Sequence, residues 1–415
     1  MNFNIVIAKR IGNKSDSTGR MSRLGNRISV IAVTLSVAII IISIAVSNGF
    51  RKEIRYKVRG FASDIVISAP GADVMSGEYP INYNLSGIKE VRELPYVESV
   101  SPVSYRSGLI REKGEISGLF LKGVDENYNM DFYAKHLVAG ELPKYSCDSV
   151  SKEVVISKRL ADALGYSVGD KIYSFFAGDV LKMKNLEIVG IFNAQLEQLD
   201  KVLAIADIKL VNELNGWKKE VSGFEIFTDN SNLNNEDYRY NKIMDIIYSS
   251  TTDQDSSVMV STLKDRFYIL FDWLHLLDLN VYIILALMIA VAGFNMVSGL
   301  LIMLFERIAQ IGLLKAMGMT NKNVSKIFLI KAAIVVLKGM LYGNVLAILI
   351  CLVQKNFNLI ELNPEFYFVS YIPIDFNLIN IVAVNIISFL LIMLIMLVPT
   401  HFISKVSPAN TMRVK

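Results

Sequence analysis

The chain has 415 residues and a formal net charge of +4, too weakly basic to argue for a nucleic-acid partner. Hydrophobic residues make up 52% and charged residues 20%, with a mean hydropathy of +0.40, which is high for a soluble protein. The two facts coexist if apolar residues are concentrated in a few segments and the rest faces water. Of the two cysteines, Cys147 falls in a polar stretch and Cys351 in an apolar one, so a disulfide is not expected. No C-x-x-C and no cysteine–histidine cluster supports a zinc site.

In chain order, residues 1–27 form a basic leader with Lys9, Arg10, Lys14, Arg20, Arg23 and Arg27 against a single acid, Asp16. Residues 28–48 predict the first membrane span; Ile28–Ser47 carries no charge over a length that crosses a hydrocarbon core of roughly 30 Å. A cleaved signal peptide is the rival reading. The apolar stretch is long for one, and Asn48-Gly49-Phe50-Arg51-Lys52 is not a small-x-small cleavage site. Residues 49–272 predict a water-facing domain. Residues 273–305 predict the second span and its stalk, 306–326 a loop, 327–354 the third span, 355–377 a short loop, 378–403 the fourth span, and 404–415 a tail. Peptide groups in lipid must be satisfied internally, so the four spans are expected to be helices. The loop after the second span holds Arg307, Lys315, Lys322 and Lys326 against Glu306, and the tail holds Lys405, Arg413 and Lys415 with no acid. The loop between spans three and four has Lys355 against Glu361, Glu365 and Asp375. These charges predict cytoplasmic termini and an outside location for the 49–272 block.

Local patterns in that block are mixed α/β. Asp64–Ser68 alternates like a strand, Ile88–Leu94 reads as a helix stopped by Pro95, and Gly108–Gly123 reads as a hairpin around Lys113-Gly114. Val154–Ile156 predicts a strand and Ser157–Leu164 a helix closed by Gly165. Lys171–Phe176 and Leu186–Phe192 predict strands flanking a protruding loop, Ala177–Asn185. Val202–Ala206, Phe224–Phe227 and Val258–Val260 predict strands, with helices from Asp207 and near Glu236–Tyr248. Asp229–Asp237, rich in Asn and Asp, predicts a surface loop.

Signs of chemistry are sparse. The 415 residues contain no G-x-x-x-x-G-K-[ST], H-E-x-x-H, G-x-S-x-G or G-x-G-x-x-G. His136, His275 and His401 are scattered, without the spacing of metal ligands, and Asp125-Glu126 reads as a solvated turn. No cofactor or metal is expected on this chain. Lys338, near the middle of the third span, is a functional candidate because a charge there is costly; snorkelling or a partner carboxyl is the plainer explanation. Gly339, Gly343 and Ala347 form a small-x-x-x-small run suited to close helix packing.

The segment Phe305-Glu-Arg-Ile-Ala-Gln-Ile-Gly-Leu-Leu-Lys-Ala-Met-Gly318 resembles the cytoplasmic signature of ABC-transporter permeases of the MacB/FtsX-like mechanotransmission superfamily. Its second acid is replaced by Gln310, while Glu306 is kept. Further matches point to the lipoprotein-releasing (LolC/LolE-type) branch. They are Ala8-Lys9-Arg10, Arg27-Ile28-Ser29, Ser47–Glu53, Ile188–Phe192 followed by Asp200, Ala290–Asn295, Glu361–Val369 with Ile372-Pro373, and Val398-Pro399 with Ser407-Pro-Ala409 and Arg413. The final pair, Val414-Lys415, departs from that branch's usual ending. The length without a fused ATPase fits the same branch.

The resemblance implies a membrane protein of four transmembrane α-helices with a large mixed α/β periplasmic domain inserted between helices 1 and 2. That domain is expected in two subdomains, the inner one at about Tyr105–Asn215. It also implies placement in a bacterial inner membrane and a partner ABC ATPase dimer, which carries the ATP and Mg. A second permease chain, identical or paralogous, a lipoprotein substrate and a periplasmic lipoprotein carrier complete the implied set. Carried onto this sequence, ATPase coupling falls to Glu306, Arg307, Gln310, Leu314, Lys315 and Gly318. The substrate cavity between spans one and two falls to Ile40, Ile44, Asn48, Phe50, Met288 and Phe294. The family's carrier-binding hook corresponds to Phe175–Lys184, shortened here, with Phe175, Phe176 and Leu181 as contact candidates or, equally, strand-core and turn residues. A permease that exports a peptide or drug, or regulates the cell envelope, is the alternative class.

Overall fold

The computed structural model describes residues 20–72, 79–112, 114–146, 148–178, 181–196, 200–229, 235–251 and 257–404. Most of the basic leader, Cys147, the centre of the Asp229–Asp237 loop, the middle of the Ala177–Asn185 connection and the tail from residue 405 lie outside the described residues.

In chain order the elements are helix α1 (Arg20–Ala62), strands β1 (Ile65–Ser68) and β2 (Ile81–Asn82), α2 (Ile88–Arg92), β3 (Val97–Glu112) and β4 (Glu115–Val124). Then follow α3 (Asp131–Lys135), β5 (Leu137–Gly140), β6 (Glu153–Ser157), α4 (Lys158–Leu164), β7 (Lys171–Phe176), β8 (Lys182–Phe192) and β9 (Leu203–Asp207). Next come α5 (Ile208–Asn215), β10 (Glu220–Val221), β11 (Gly223–Thr228), α6 (Glu236–Ser250), β12 (Met259–Thr262) and α7 (Leu263–Arg266). The chain ends with α8 (Tyr268–Glu306), α9 (Ile308–Ala316), α10 (Asn321–Phe357), α11 (Pro364–Tyr367) and α12 (Leu378–Ser404). Two compact units result, one from residues 1–52, 273–361 and 371–415, the other from 53–272 and 362–370.

The first unit is the helical one. Helices α1, α8, α10 and α12 are long and apolar enough to cross a membrane. They outrun the apolar windows read from sequence: α1 continues to Ala62, well past the expected end at residue 48, because Phe50–Ala62 keeps a helical spacing of buried side chains at Ile54, Val58 and Phe61. The bundle core joins Val33, Val37 and Ile41 of α1 to Ala292 and Met296 of α8, Val336 and Met340 of α10, and Ile392 and Met396 of α12. Close approach needs small residues. A Cβ added at Gly339 would lie 2.7 Å from Val33, and one at Gly343 would lie 2.8 Å from the Thr34 carbonyl oxygen. Thr34 Oγ1 donates to the Gly339 carbonyl at 3.1 Å. Between α10 and α12, the side-chain amides of Asn344 and Asn385 donate to each other at 2.8 and 2.9 Å, and each also donates to the carbonyl four residues before it. Towards the end of the unit's share of α1, Ser47 Oγ donates to Asp278 of α8 at 2.8 Å, and Arg51 pairs with the same carboxylate.

The second unit is α/β. Its main sheet has ten strands in the order β12-β1-β11-β3-β4-β9-β6-β8-β5, with β7 pairing both β3 and β8. Among the described residues only β4–β9 and β6–β8 run parallel. The long strand β3 passes through two hydrophobic cores, with Ile110 in one and Val100 in the other. One gathers Ile110, Leu121, Ile156, Leu160, Phe176, Ile188 and Val211; the other gathers Ile67, Val91, Val100, Phe224, Ile226, Ile243 and Val260. Local chemistry fixes the ends of the helices. Ser157 Oγ accepts from Leu160 N at 3.1 Å to start α4, which Gly165 closes at φ 73°, and Asp207 accepts from Lys209 N to start α5. The protruding loop expected at Ala177–Asn185 is smaller than the sequence implied. β8 begins at Lys182, because Met183 and Asn185 pair opposite Phe175 and Tyr173 and extend the hairpin.

The glycine stripe yields a packing test. Gly339→Leu drives a branched side chain into Val33 and should cost about 1–3 kcal/mol, seen as a lower unfolding midpoint of the detergent-solubilised chain. Leu341→Ala, on the exposed side of α10, should leave the midpoint in place; equal effects would refute the packing account.

Candidate functional site

The Glu306–Gly318 segment is built from two helix ends. Glu306 is the last residue of α8; both its carboxylate oxygens are buried and make no hydrogen bond among the described residues. Arg307 starts α9, and Gly318, at φ 90°, reverses the chain behind it. Gly318 N donates to Lys315 O at 2.9 Å and Met319 N to Leu314 O at 3.1 Å, which satisfies the carbonyls left open at the end of α9. Ile311 packs into the bundle core and Gly312 is buried beside it. Leu314 and Lys315 are half-buried, and burial lowers the Lys315 ammonium pKa from its usual value. The opposite side carries Gln310, Leu313 and Met317 in the open; Leu313 is 56% and Met317 69% exposed. A short, largely apolar helix therefore leaves large apolar side chains uncovered, the composition of a protein-docking surface. The sequence signature located this segment but did not single out Leu313 and Met317, because in an apolar run only the fold decides which residues face out.

The six cavity candidates are not brought together in one site. Ile40 is buried in the bundle core, and Met288 packs against that core from the side. Ile44 and Asn48 line a narrow crevice between α1 and α12, with Asp375 and Asn380. Phe50 is buried, whereas Phe294 is 73% exposed. Lys338 is exposed on α10, one heptad from half-buried Lys331.

Around the expected hook, strand alternation separates the three candidates. Phe176 points into the core and is fully buried, Phe175 is half-buried, and Leu181 is 65% exposed. Leu109 of β3 lies opposite Phe175, which lies opposite Met183 of β8. Leu109, Ile116, Tyr173, Phe175, Leu181 and Met183 thus form one apolar side of the sheet, exposed except at Phe175. The sequence reading missed Leu109, Ile116 and Met183, which come from separate strands.

Asp200, part of the element that follows Ile188–Phe192, lies in a polar groove of about 900 Å³ with Lys158, Arg159, Gln195 and Glu365. One of its oxygens accepts from Leu196 N at 3.0 Å. The groove is crossed by Arg159–Glu365 at 2.8 Å and by Gln195 Nε2 donating to Ser370 Oγ at 2.6 Å, so residues 362–370 pack on this domain. Burial pushes the Asp200 carboxyl up to about 6, against the pull of Leu196 N, Lys57 and Arg159. Among the described residues no group of His, Cys, Asp and Glu could hold a metal ion. His136 instead sits with its Nδ1 2.8 Å from the Phe132 carbonyl oxygen.

Residues 28–223 match the MacB-like periplasmic core domain family, and residues 282–408 match the FtsX-like permease C-terminal family. Four membrane helices with that core domain between the first two define the class: a MacB/FtsX-like permease with an inserted periplasmic domain. The chain is similar to the lipoprotein-releasing system transmembrane protein LolC of Neisseria meningitidis serogroup B, 26% identical with 93% of each chain covered. It is similar to LolC of Haemophilus influenzae at 24% over the whole of both chains, and to LolE of the same organism at 22% over 93% of each. The crystal structure of the periplasmic region of MacB from Actinobacillus actinomycetemcomitans aligns with 51% of this chain and 95% of its own, at 14% identity and a TM-score of 0.35. The chain belongs to the LolC/LolE-type permeases of this superfamily and is a Lol-system permease subunit.

The Asp200 carboxyl sets a pH dependence. Its folded value of about 6 exceeds the ordinary carboxylate value of 3.8, so between the two the folded chain keeps a proton that the unfolded chain has lost. Its stabilising share is complete below pH ~4 and is lost as pH rises through about 6. Asp200→Asn should therefore gain stability relative to the native chain as pH rises from 4 to 7, by up to about 3 kcal/mol. Unfolding midpoints in detergent across that range check this; a difference independent of pH would remove Asp200 as the cause.

Proposed function

We propose that this permease extracts lipoproteins from the outer leaflet of the bacterial inner membrane and passes them to a periplasmic carrier. A separate ATPase dimer drives it, docked on the Glu306–Gly318 segment, and a second permease chain, identical or paralogous, completes the membrane part. The termini are then cytoplasmic, and this chain itself binds no nucleotide. The observation that carries the reading is similarity along 93% of the chain to relatives named for lipoprotein release. Two features of the molecule support it. The uncovered Leu313 and Met317 on α9 suit a partner protein, and the apolar sheet side around Leu109, Tyr173 and Met183 suits a greasy cargo or its carrier.

The energetics require such surfaces. Each acyl CH₂ taken from lipid to water costs about 0.8 kcal/mol, so lifting a multi-acyl anchor costs tens of kcal/mol unless the path stays apolar. ATP-driven closure relayed through α8 and α1 supplies the work, and the domain carries the anchor out of the bilayer. The short β7–β8 connection, residues 177–181, favours as a second reading a permease that needs no carrier hook, for peptide or drug export or control of a cell-wall enzyme.

Depleting the chain should make outer-membrane lipoproteins accumulate in the inner membrane. If they reach the outer membrane at the native rate, the lipoprotein reading fails and the second one stands. For docking, Leu313→Asp with Met317→Asp should reduce co-purification of the ATPase at least tenfold while membrane insertion stays intact. Glu306→Arg should lower ATPase-coupled activity in the same way, and undiminished activity in both variants would place the coupling surface elsewhere.

A further inference from the structure

Lys122 and Glu225 are both fully buried, 2.8 Å apart, on strands β4 and β11. Their neighbours make the pair unusual. Lys122 Nζ also donates to Tyr128 Oη at 2.8 Å and to the backbone carbonyl of Phe61, in the last turn of α1. Glu225 accepts from Tyr105 Oη at 2.7 Å and from Tyr128 Oη at 2.8 Å. The charge of Arg266, the last residue of α7, acts on the Tyr105 hydroxyl in the opposite sense to Glu225. Burial and the Glu225 charge raise the pKa values of both phenols well above their usual value, so they remain protonated donors. Every proton of the ammonium and both oxygens of the carboxylate are used.

A buried ion pair is a poor source of net stability, since taking both charges out of water offsets their attraction, and an apolar pair of the same volume often does as well. Its value lies in geometry. Here the geometry joins the carbonyl end of the first membrane helix to two central strands of the sheet. A second set of bonds fixes the same helix end: Arg59 pairs with Asp64 at 2.8 Å and donates to the Thr228 carbonyl at 2.8 Å.

We propose that the Lys122–Glu225–Tyr105–Tyr128 cluster is the joint through which displacement of α1 is delivered to the periplasmic sheet, and that these are positioning residues for the transport stroke. The proposal rests on the permease reading above for its stroke, but not on the identity of the cargo. Directional hydrogen bonds to a helix-end carbonyl resist rotation and sliding of that helix, which apolar contacts alone permit.

The test uses the full chain with its ATPase partner, reconstituted in vesicles. Lys122→Met with Glu225→Gln removes both charges and keeps an acceptor for the two tyrosines. ATP hydrolysis should stay within twofold of native and the unfolding midpoint should hold, while lipoprotein released per ATP falls at least tenfold. Unchanged release per ATP overturns the joint. A cargo-free measurement places spin labels at Tyr56→Cys, on the exposed side of α1, and Ile116→Cys, on the exposed side of β4, in a chain lacking Cys147 and Cys351. The native distance distribution should be equally narrow with and without ATP, and at least twice as broad in the double variant. A variant distribution as narrow as the native one overturns the proposal. If the double variant does not fold, Tyr128→Phe removes only one donor and should broaden the distribution by a smaller, measurable amount; no broadening there overturns it as well. Native vesicles that release no lipoprotein would sink the cargo reading and leave the spin-label result standing.

Discussion

Hydrocarbon offers a peptide group no hydrogen-bond partner, and the chain answers with helices that do not stop where the apolar residues stop. A helix ended at the membrane surface would leave four carbonyls to be satisfied in a crowded interface. α1 instead continues to Ala62 and finishes inside a protein domain, where Lys122 takes one of its last carbonyls. At the other end of the bundle, α8 stops at Glu306 and hands over to α9, whose own end is closed by Gly318. Each helix end is thus closed by hydrogen bonds from within the chain.

The inserted domain follows from the same economy on the β side. Strand β3 is long enough to serve two cores, so the two parts share one sheet. Strand β7 has a buried side and an open side, which is why Phe176 is fully buried while Phe175, next to it in sequence, is only half-buried.

The four spans, the α9 segment and most strands were legible in the sequence, because they rest on local periodicity, capping residues and a contiguous motif. Ser157, Asp207 and Gly165 each announce a helix end from their side chain or lack of one. What was not legible depends on distant pairing. Lys122 sits between Leu121 and Gly123 in a strand where an outward lysine is ordinary, and its burial follows from Glu225, more than a hundred residues away. Ile40, Ile44 and Phe294 look alike in an apolar helix, and only neighbouring helices decide that one is core, one lines a crevice and one faces outward. The docking of residues 362–370 on the domain carried no signal beyond the family motif, since the bonds from Arg159 and Gln195 bridge segments far apart in the chain.

The Asn344–Asn385 exchange fixes more than proximity. Two amides that each give and take a bond form a key cut for one register: shifting α10 against α12 by a single turn breaks both bonds at once and strands four polar groups in lipid. Greasy contacts, by contrast, can be re-made after a slide. Spans three and four are therefore locked in one register by polar bonds, whereas the α1 seam is set by the close approach that Gly339 and Gly343 allow.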